Sequence, residues 1–318
     1  MKNQKIKGLV FILGVLIVLT GCGSNTSDTE KAQEKEATGT HLFKAANGEI
    51  EVPNNPKRVV VRTYMGHVLA LDVPVVGATE WDLASPFIDK KVLDKIKDVG
   101  VPMNAEEVLA LEPDLIITDT EDEVASLEKI APTVLLPYDT VRNINESVDL
   151  FGELLNRKTE AEAWKKSFKE NADKERARLA EVNFPMDATV GLYELQDSKL
   201  FVFGSNFGRG GQVLTTGLGL KQQDNIQKVS DGDGWKELSL EALPDYAADF
   251  MFFTSYTANG TESAELTALK ANPIWKTIPA VEKNQVIELP FEKMYYYDPI
   301  AIQAQLKLIT DKLIETQK

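Results

Sequence analysis

From about residue 41 to the C-terminus, short runs of β-branched and aliphatic residues alternate with stretches whose apolar positions recur at helical spacing. That alternation predicts an α/β architecture. Residues 50–52, 59–61, 75–77, 115–117 and 134–136 are expected as strands of a first lobe. Helices are expected between them at 65–71, 87–97, 105–111 and 123–130, with Pro113 closing one helix ahead of its strand. The middle of the chain differs, since 143–155 and 159–182 are helix-forming without strand signals. In the second of these, Ala161, Trp164, Phe168, Ala172 and Leu179 repeat at helical spacing, and Lys165, Lys166, Glu170, Lys174, Glu175 and Arg178 cover the other face. Thr159 with Glu162 fits a capping box. No Pro or Gly interrupts this helix, which at 1.5 Å per residue would be roughly 36 Å long. Strands resume at 190–192, 200–203, 250–254 and 286–289. The expected plan is two Rossmann-like lobes, 41–155 and 183–318, joined by one long rigid α-helix at 156–182, with a ligand cleft between the lobes.

The N-terminus follows another logic. Lys2, Lys5 and Lys7 precede an apolar run at 8–19, which ends in Leu19-Thr20-Gly21-Cys22. A basic start and a short apolar run form a secretory signal, and the run is shorter than the roughly 17 residues a spanning helix needs. Its end resembles a bacterial lipobox, so 1–21 is expected as a lipoprotein signal peptide and Cys22 as the lipidated residue. Residues 22–40, rich in Ser, Thr, Glu and Lys, are expected to form a flexible tether. The protein should sit on the extracytoplasmic face of the cell membrane, held by its lipid.

Charge and composition narrow the partners. A formal net charge of −14 argues against a nucleic-acid surface. Cys22 is the single cysteine, and His41 and His67 are the two histidines, so neither a disulfide nor a zinc cluster is expected. No G-x-S-x-G elbow, P-loop or dinucleotide fingerprint is present, and Gly208-x-Gly210-Gly211 does not fit a phosphate loop. An enzyme is not expected, nor a resident cofactor or directly bound metal.

Gly48-Glu-Ile-Glu-Val-Pro-Asn-Asn-Pro-Lys-Arg-Val59 and Ala105-Glu-Glu-Val-Leu-Ala-Leu-Glu-Pro-Asp-Leu-Ile-Ile117 resemble segments of the siderophore-binding lipoproteins of Gram-positive ABC importers, in the periplasmic-binding-protein class whose lobes are joined by one helix. Phe203-Gly-Ser-Asn-Phe-Gly-Arg-Gly-Gly-Gln-Val213 is similar to the ligand loop of the ferric-hydroxamate and ferrioxamine branch, as is the ending Tyr295-Tyr-Tyr-Asp-Pro-Ile300. Phe207 stands where members of that branch can carry tryptophan. The resemblance implies a monomeric receptor that captures a ferric siderophore and delivers it to permease subunits powered by a cytoplasmic ATPase.

Arg209 is the leading candidate for ligand contact. Its guanidinium presents a rigid fork of donors suited to oxygen pairs. The flanking glycines would let backbone approach a ligand closely, and the resemblance places an arginine here against the ligand oxygens. Tyr64, Trp81, Tyr138, Phe207, Tyr295 and Tyr297 lie at or just past predicted strand ends, the edge that faces the crevice in open α/β sheets. Arg62 is a weaker candidate of the same kind. Trp164 is expected in the core, and Trp235 and Trp275 as packing residues at loop-to-helix starts. Glu106 and Glu241 each open a predicted helix, where an acidic first turn suits the helix dipole. The resemblance implies in addition that each docks on permease arginines.

Rival readings remain. Tyr295, Tyr296 and Tyr297 could offer phenolates to a bare ferric ion, although consecutive residues in an extended segment alternate faces, so at most two would converge. Catecholate or carboxylate siderophores and haem are other cargoes. A catecholate complex is strongly anionic and demands several basic groups, whereas Arg209 stands nearly alone, which favours a neutral or cationic hydroxamate chelate.

Overall fold

The computed structural model describes residues 39–317, apart from 139, 141, 197 and 257–263. The signal peptide, Cys22 and nearly all of the tether lie outside the described residues. Among the described residues, no helix is long and apolar enough to cross a membrane.

Three consecutive valines make β3 (Val59–Val61), and all three are buried. With β4 (Val75–Ala78), β5 (Lys97–Asp98), β6 (Leu115–Thr118) and β7 (Thr133–Leu135) they form a sheet of order β5-β4-β3-β6-β7 in which every pair is parallel. A parallel sheet covered on both faces needs apolar side chains on both. Val59, Val61, Leu115 and Ile117 enter one core, whereas Val60 and Ile116 enter another with Val108 and Leu127. The helices of this half are α1 (Met65–Ala70), α2 (Glu80–Leu83), α3 (Lys90–Leu93), α4 (Ala105–Ala110) and α5 (Glu121–Leu127).

Two expectations need correction here. Residues 50–52 do not join the parallel sheet. They belong to an antiparallel hairpin, β1 (Thr40–Ala45) with β2 (Gly48–Pro53), docked on the β7 edge by Ala46 N donating to Leu135 O at 3.1 Å. The helix expected at 87–97 shrinks to α3, because the Asp89 carboxylate caps Lys91 N at 2.7 Å and Lys97 is drawn into the ladder opposite Gly77.

The second sheet contains β8 (Thr189–Gln196), β9 (Lys199–Phe203), β10 (Lys221–Gln222), β11 (Trp235–Leu238), β12 (Phe250–Tyr256) and β13 (Val286–Glu288). Its order is β11-β9-β8-β12-β13, with β10 on β8, and it is mixed: the two pairs made by β9 are antiparallel. Period-two alternation again sorts side chains, with Phe250 and Phe252 facing one core and Met251 and Phe253 the other. Trp235 is not at a helix start. It opens β11 opposite Phe203, leans on Phe201 at 5.8 Å and stays 45% exposed. Trp275 is buried, as a packing residue should be.

Between the sheets run α6 (Ile144–Leu154) and the 24-residue α7 (Lys158–Glu181). The capping box is absent: the helix starts one residue early because Arg157 O accepts from Ala161 N at 2.9 Å, which leaves Thr159 inside the first turn. Ala161, Phe168, Ala172 and Leu179 are buried, and Trp164 stacks on Phe168 at 5.1 Å. Shorter helices follow: α8 (Asp224–Asp231), α9 (Ala264–Ala271), α10 (Pro273–Lys276), α11 (Pro279–Glu282) and α12 (Phe291–Met294). The last, α13 (Pro299–Glu315), packs against α7 and also against α1 of the first half. A single core runs from Val59 and Leu115 through Phe168 and Leu306 to Phe250. Two helices rather than one therefore couple the halves.

Candidate ligand-binding site

Where the halves face each other lies a cavity of about 480 Å³, in the size range of small-molecule sites. All seven residues singled out from the sequence line it: Tyr64, Trp81, Tyr138, Phe207, Arg209, Tyr295 and Tyr297. They come from segments separated by more than two hundred positions, so the fold has gathered them.

Arg209 sits in a loop that bends left-handed three times in succession, with φ of 77°, 53° and 81° at Gly208, Arg209 and Gly210. Only glycine adopts such angles without strain, which accounts for its neighbours. Their small size serves the protein itself, contrary to the expectation that it admits ligand. A Cβ at Gly208 would lie 3.0 Å from Tyr295 O, and one at Gly210 would strike Met294 at 2.5 Å and Ile309 at 2.7 Å. Buried Gln212 then ties the loop to α6, accepting from Ile144 N at 3.2 Å and donating to Ser205 O at 3.1 Å. The π-helical turn Val213–Gly217 follows directly.

The guanidinium is held by a residue the sequence reading missed. Glu194, fully buried on β8, accepts from Arg209 Nε at 2.9 Å and from Nη2 at 2.8 Å. Thr254 of β12 donates to the same carboxylate at 2.9 Å. Beneath, the Phe203 ring lies 4.3 Å from the guanidinium carbon, a cation–π contact. Of the five N–H donors of an arginine, the carboxylate takes two, and the other three have no hydrogen-bond partner among the described residues. One signal of Glu194 was present in the sequence: a lone carboxylate inside the otherwise apolar run Val190-Gly-Leu-Tyr-Glu-Leu195.

Aromatic rings form the rest of the wall. Phe207 stacks on Phe203 at 5.7 Å and meets the edge of Tyr138 at 5.4 Å. Burial pushes the Tyr138 hydroxyl up to about 12, with the Arg209 charge opposing. Trp81 leans on Tyr295 at 5.5 Å, and Tyr296 donates its hydroxyl to Trp81 O at 3.0 Å, a bond between the halves. Tyr295, Tyr296 and Tyr297 all line the cavity, where at most two were expected to converge. The backbone is not extended there, since Tyr295 ends α12 with helical angles. Tyr64 is largely structural, 6% exposed, with its hydroxyl committed to Leu136 O at 2.7 Å.

The cavity floor is polar. Asp82 accepts from Thr63 N at 2.9 Å and Thr79 Oγ1 at 2.8 Å, and burial raises its carboxyl against these bonds. Asp298 caps α13, accepting from Ile300 N and Ala301 N through Oδ1. Burial, with the nearby Asp82 charge, raises it to about 6. His67 is 3% exposed, stacks on Phe151 at 4.7 Å, and neither ring nitrogen has a hydrogen-bond partner among the described residues. Among the described residues, no group of three or more His, Cys, Asp or Glu is arranged to hold a metal ion.

Desolvation lowers the His67 imidazole to about 3. Between that value and the ordinary 6.5 the unfolded chain binds a proton the folded protein refuses, so stability is lost as pH falls. The stability of the wild type relative to His67→Leu should drop by about 2 kcal/mol between about pH 7.5 and about pH 5. Urea unfolding at both pH values measures this. An unchanged difference would mean that the ring is protonated in the folded protein.

The remaining candidates fall outside the cavity lining. Arg62 is engaged by Asp119 at 3.0 Å and Glu123 at 2.5 Å. Glu106 lies exposed in the first turn of α4, where Asn104 caps the helix. Glu241 is exposed too but opens no helix. It sits in the turn before a 3-10 helix, Leu243–Tyr246, because Pro244 limits helical growth there.

The periplasmic binding protein family matches residues 62–293. The iron(3+)-hydroxamate-binding protein YxeB of Bacillus subtilis (strain 168) is 39% identical over 318 residues, covering 99% of this chain and 97% of its own. FhuD of the same organism, also an iron(3+)-hydroxamate-binding protein, is 31% identical over 316 residues and 98% of each chain. The solved structure of FhuD2 from Staphylococcus aureus with bound ferrioxamine B is similar at TM-score 0.73 and 28% identity, over 83% of this chain and 100% of that one. With its paired α/β halves, long connecting helix and shared cavity, this chain belongs to the periplasmic binding protein family.

Proposed function

We propose that this chain captures a ferric siderophore of hydroxamate type, such as ferrioxamine or ferrichrome, and delivers it to an ABC permease. The observation that carries the reading is the Arg209 guanidinium, immobilised by buried Glu194 and turned with spare donors to an aromatic-walled cavity. Hydroxamate oxygens on ferric iron retain partial negative charge, and a fixed fork of N–H groups binds them without displacing the metal. The aromatic walls suit the apolar linkers of such a chelate. Charge argues for the same class. Arg209 is the one cation among the described residues lining the cavity, against the carboxylates Glu194, Asp82 and Asp298. A strongly anionic catecholate or carboxylate complex would meet net repulsion there. The ligands named for YxeB, FhuD and FhuD2 agree with this reading.

In this reading iron is cargo inside its chelate rather than a resident cofactor, and the protein binds without catalysing a reaction. The halves on either side of α7 act as the two lobes, and the tether reaches the membrane through lipidated Cys22. Cells lacking the chain should fail to take up radioactive iron supplied as ferrioxamine B and regain uptake on complementation. Undiminished uptake would count against the role. Cys22→Ala should shift the protein from the membrane fraction to the medium, which fractionation and immunoblotting would read. Full membrane retention of that variant would rule the lipid anchor out.

A further inference from the structure

Glu194 is matched by Arg209, but Asp82 and Asp298 have no ion-pair partner among the described residues. Both lie at the start of α1. Asp82 Oδ1 faces Met65 N at 3.4 Å, and a Cβ added to Gly66 would sit 2.2 Å from the Asp298 carboxylate. The Asp298 oxygen Oδ2 takes no hydrogen bond from the described residues, since both cap bonds go to Oδ1. Two further groups line the same cavity without hydrogen-bond partners among the described residues: the Ser85 hydroxyl, on a residue 4% exposed, and the His67 ring nitrogens. Ser85 is held beside Asp82 by its own N–H, which donates to Asp82 O at 3.2 Å.

We infer that this floor, formed by Asp82, Asp298 and Ser85, is a subsite for a protonated primary amine carried by the bound chelate. An alkylammonium offers three N–H donors and no acceptor. The floor offers the complement: two carboxylates and a hydroxyl. A bare metal ion fits less well, because no metal-holding cluster exists among the described residues. Placing a cation there relieves the repulsion between two buried carboxylates, which caps alone would not require. The consequence is selectivity: Arg209 grips the iron-bound oxygens, and the floor grips the charged tail.

The inference rests on the siderophore reading, and the test separates the two. The purified full chain is titrated by calorimetry with ferrioxamine B, which ends in a primary amine, and with the same chelate acetylated on that amine. The acetylated chelate should bind at least about tenfold more weakly. In Asp298→Asn, which keeps a capping oxygen, the gap should narrow to within about twofold. A merely steric penalty of the acetyl group would persist unchanged in that variant, and so would overturn the subsite. Should Asp298→Asn not fold, Asp82→Asn and Ser85→Ala serve in its place, and the two-chelate comparison on wild type needs no variant. Equal wild-type affinities would overturn the amine subsite while leaving the hydroxamate role standing. Binding of neither chelate would overturn both.

Discussion

Replacing Arg209 with alanine should lower affinity for ferric hydroxamates about tenfold to a hundredfold, because charge-assisted bonds contribute roughly 1.5 to 3 kcal/mol each. It should also weaken the fold. Glu194 is fully buried and its bidentate partner would be gone. Removing one member of a buried pair typically costs about 3 to 5 kcal/mol, since the other charge is left uncompensated. Affinity and stability therefore move together in this variant, and a second one is needed to part them. Arg209→Met combined with Glu194→Leu removes both charges at similar volume, which should recover most of the stability and none of the binding. Arg209→Lys should recover little of either, as an ammonium cannot span both Glu194 oxygens and still present a planar fork. Calorimetric titration with ferrichrome, beside urea unfolding of each variant, would measure both effects. Wild-type affinity in the double variant would remove Arg209 from the site.

Replacing both Glu106 and Glu241 with alanine should abolish iron uptake from ferric hydroxamates while leaving affinity in solution within about twofold of wild type. Both side chains are exposed, on opposite sides of the long helix in sequence, and neither lines the cavity. The Glu241 backbone N–H and the Ser239 hydroxyl hold its carboxyl below the usual range. Charged rim contacts act mainly on encounter and orientation, so each single variant should retain part of the uptake. Radio-iron uptake and solution titration of the same variants would decide the matter. Loss of solution binding by the double variant would place these glutamates in the fold or the site rather than on a docking face.

What was legible in the sequence was local. Valine and isoleucine runs marked β3 and β6 because a parallel strand buried on both faces must be apolar throughout. The amphipathic repeat from Ala161 to Leu179 marked α7 for a similar reason. Chain geometry that depends on distant partners was not legible. The hairpin at 40–53 carries strand signals, but only the β7 edge decides that it stands outside the parallel sheet. Trp235 looked like a packing residue until its pairing with Phe203 fixed it on an exposed strand.

The site divides the same way. Arg209 stood out by its glycine-flanked loop and the resemblance that loop carries, and the tyrosines by predicted strand ends; all of them line the cavity. Glu194 lies fifteen positions upstream on another element, and only the strand pairing of β8 with β12 brings Thr254 to its side. Asp298 carried a readable signal, an Asp immediately before Pro299 at a helix start, yet that signal speaks of capping and is silent about Asp82. The glycines beside Arg209 read as room for a ligand, whereas the protein fills that room with Met294, Ile309 and Ser205.

The most direct test of the central claim is a fluorescence titration of the purified chain against ferric siderophores of each class and their iron-free forms. Trp81 leans on Tyr295 in the cavity wall, so an occupied cavity should quench emission. Ferrioxamine B and ferrichrome should saturate the signal at micromolar concentrations or below, on the order of −8 kcal/mol or better. Iron-free hydroxamates should bind more weakly, and ferric catecholates and ferric citrate should leave the signal unchanged. Saturation by a catecholate or carboxylate complex, with no response to any ferric hydroxamate, would contradict the account.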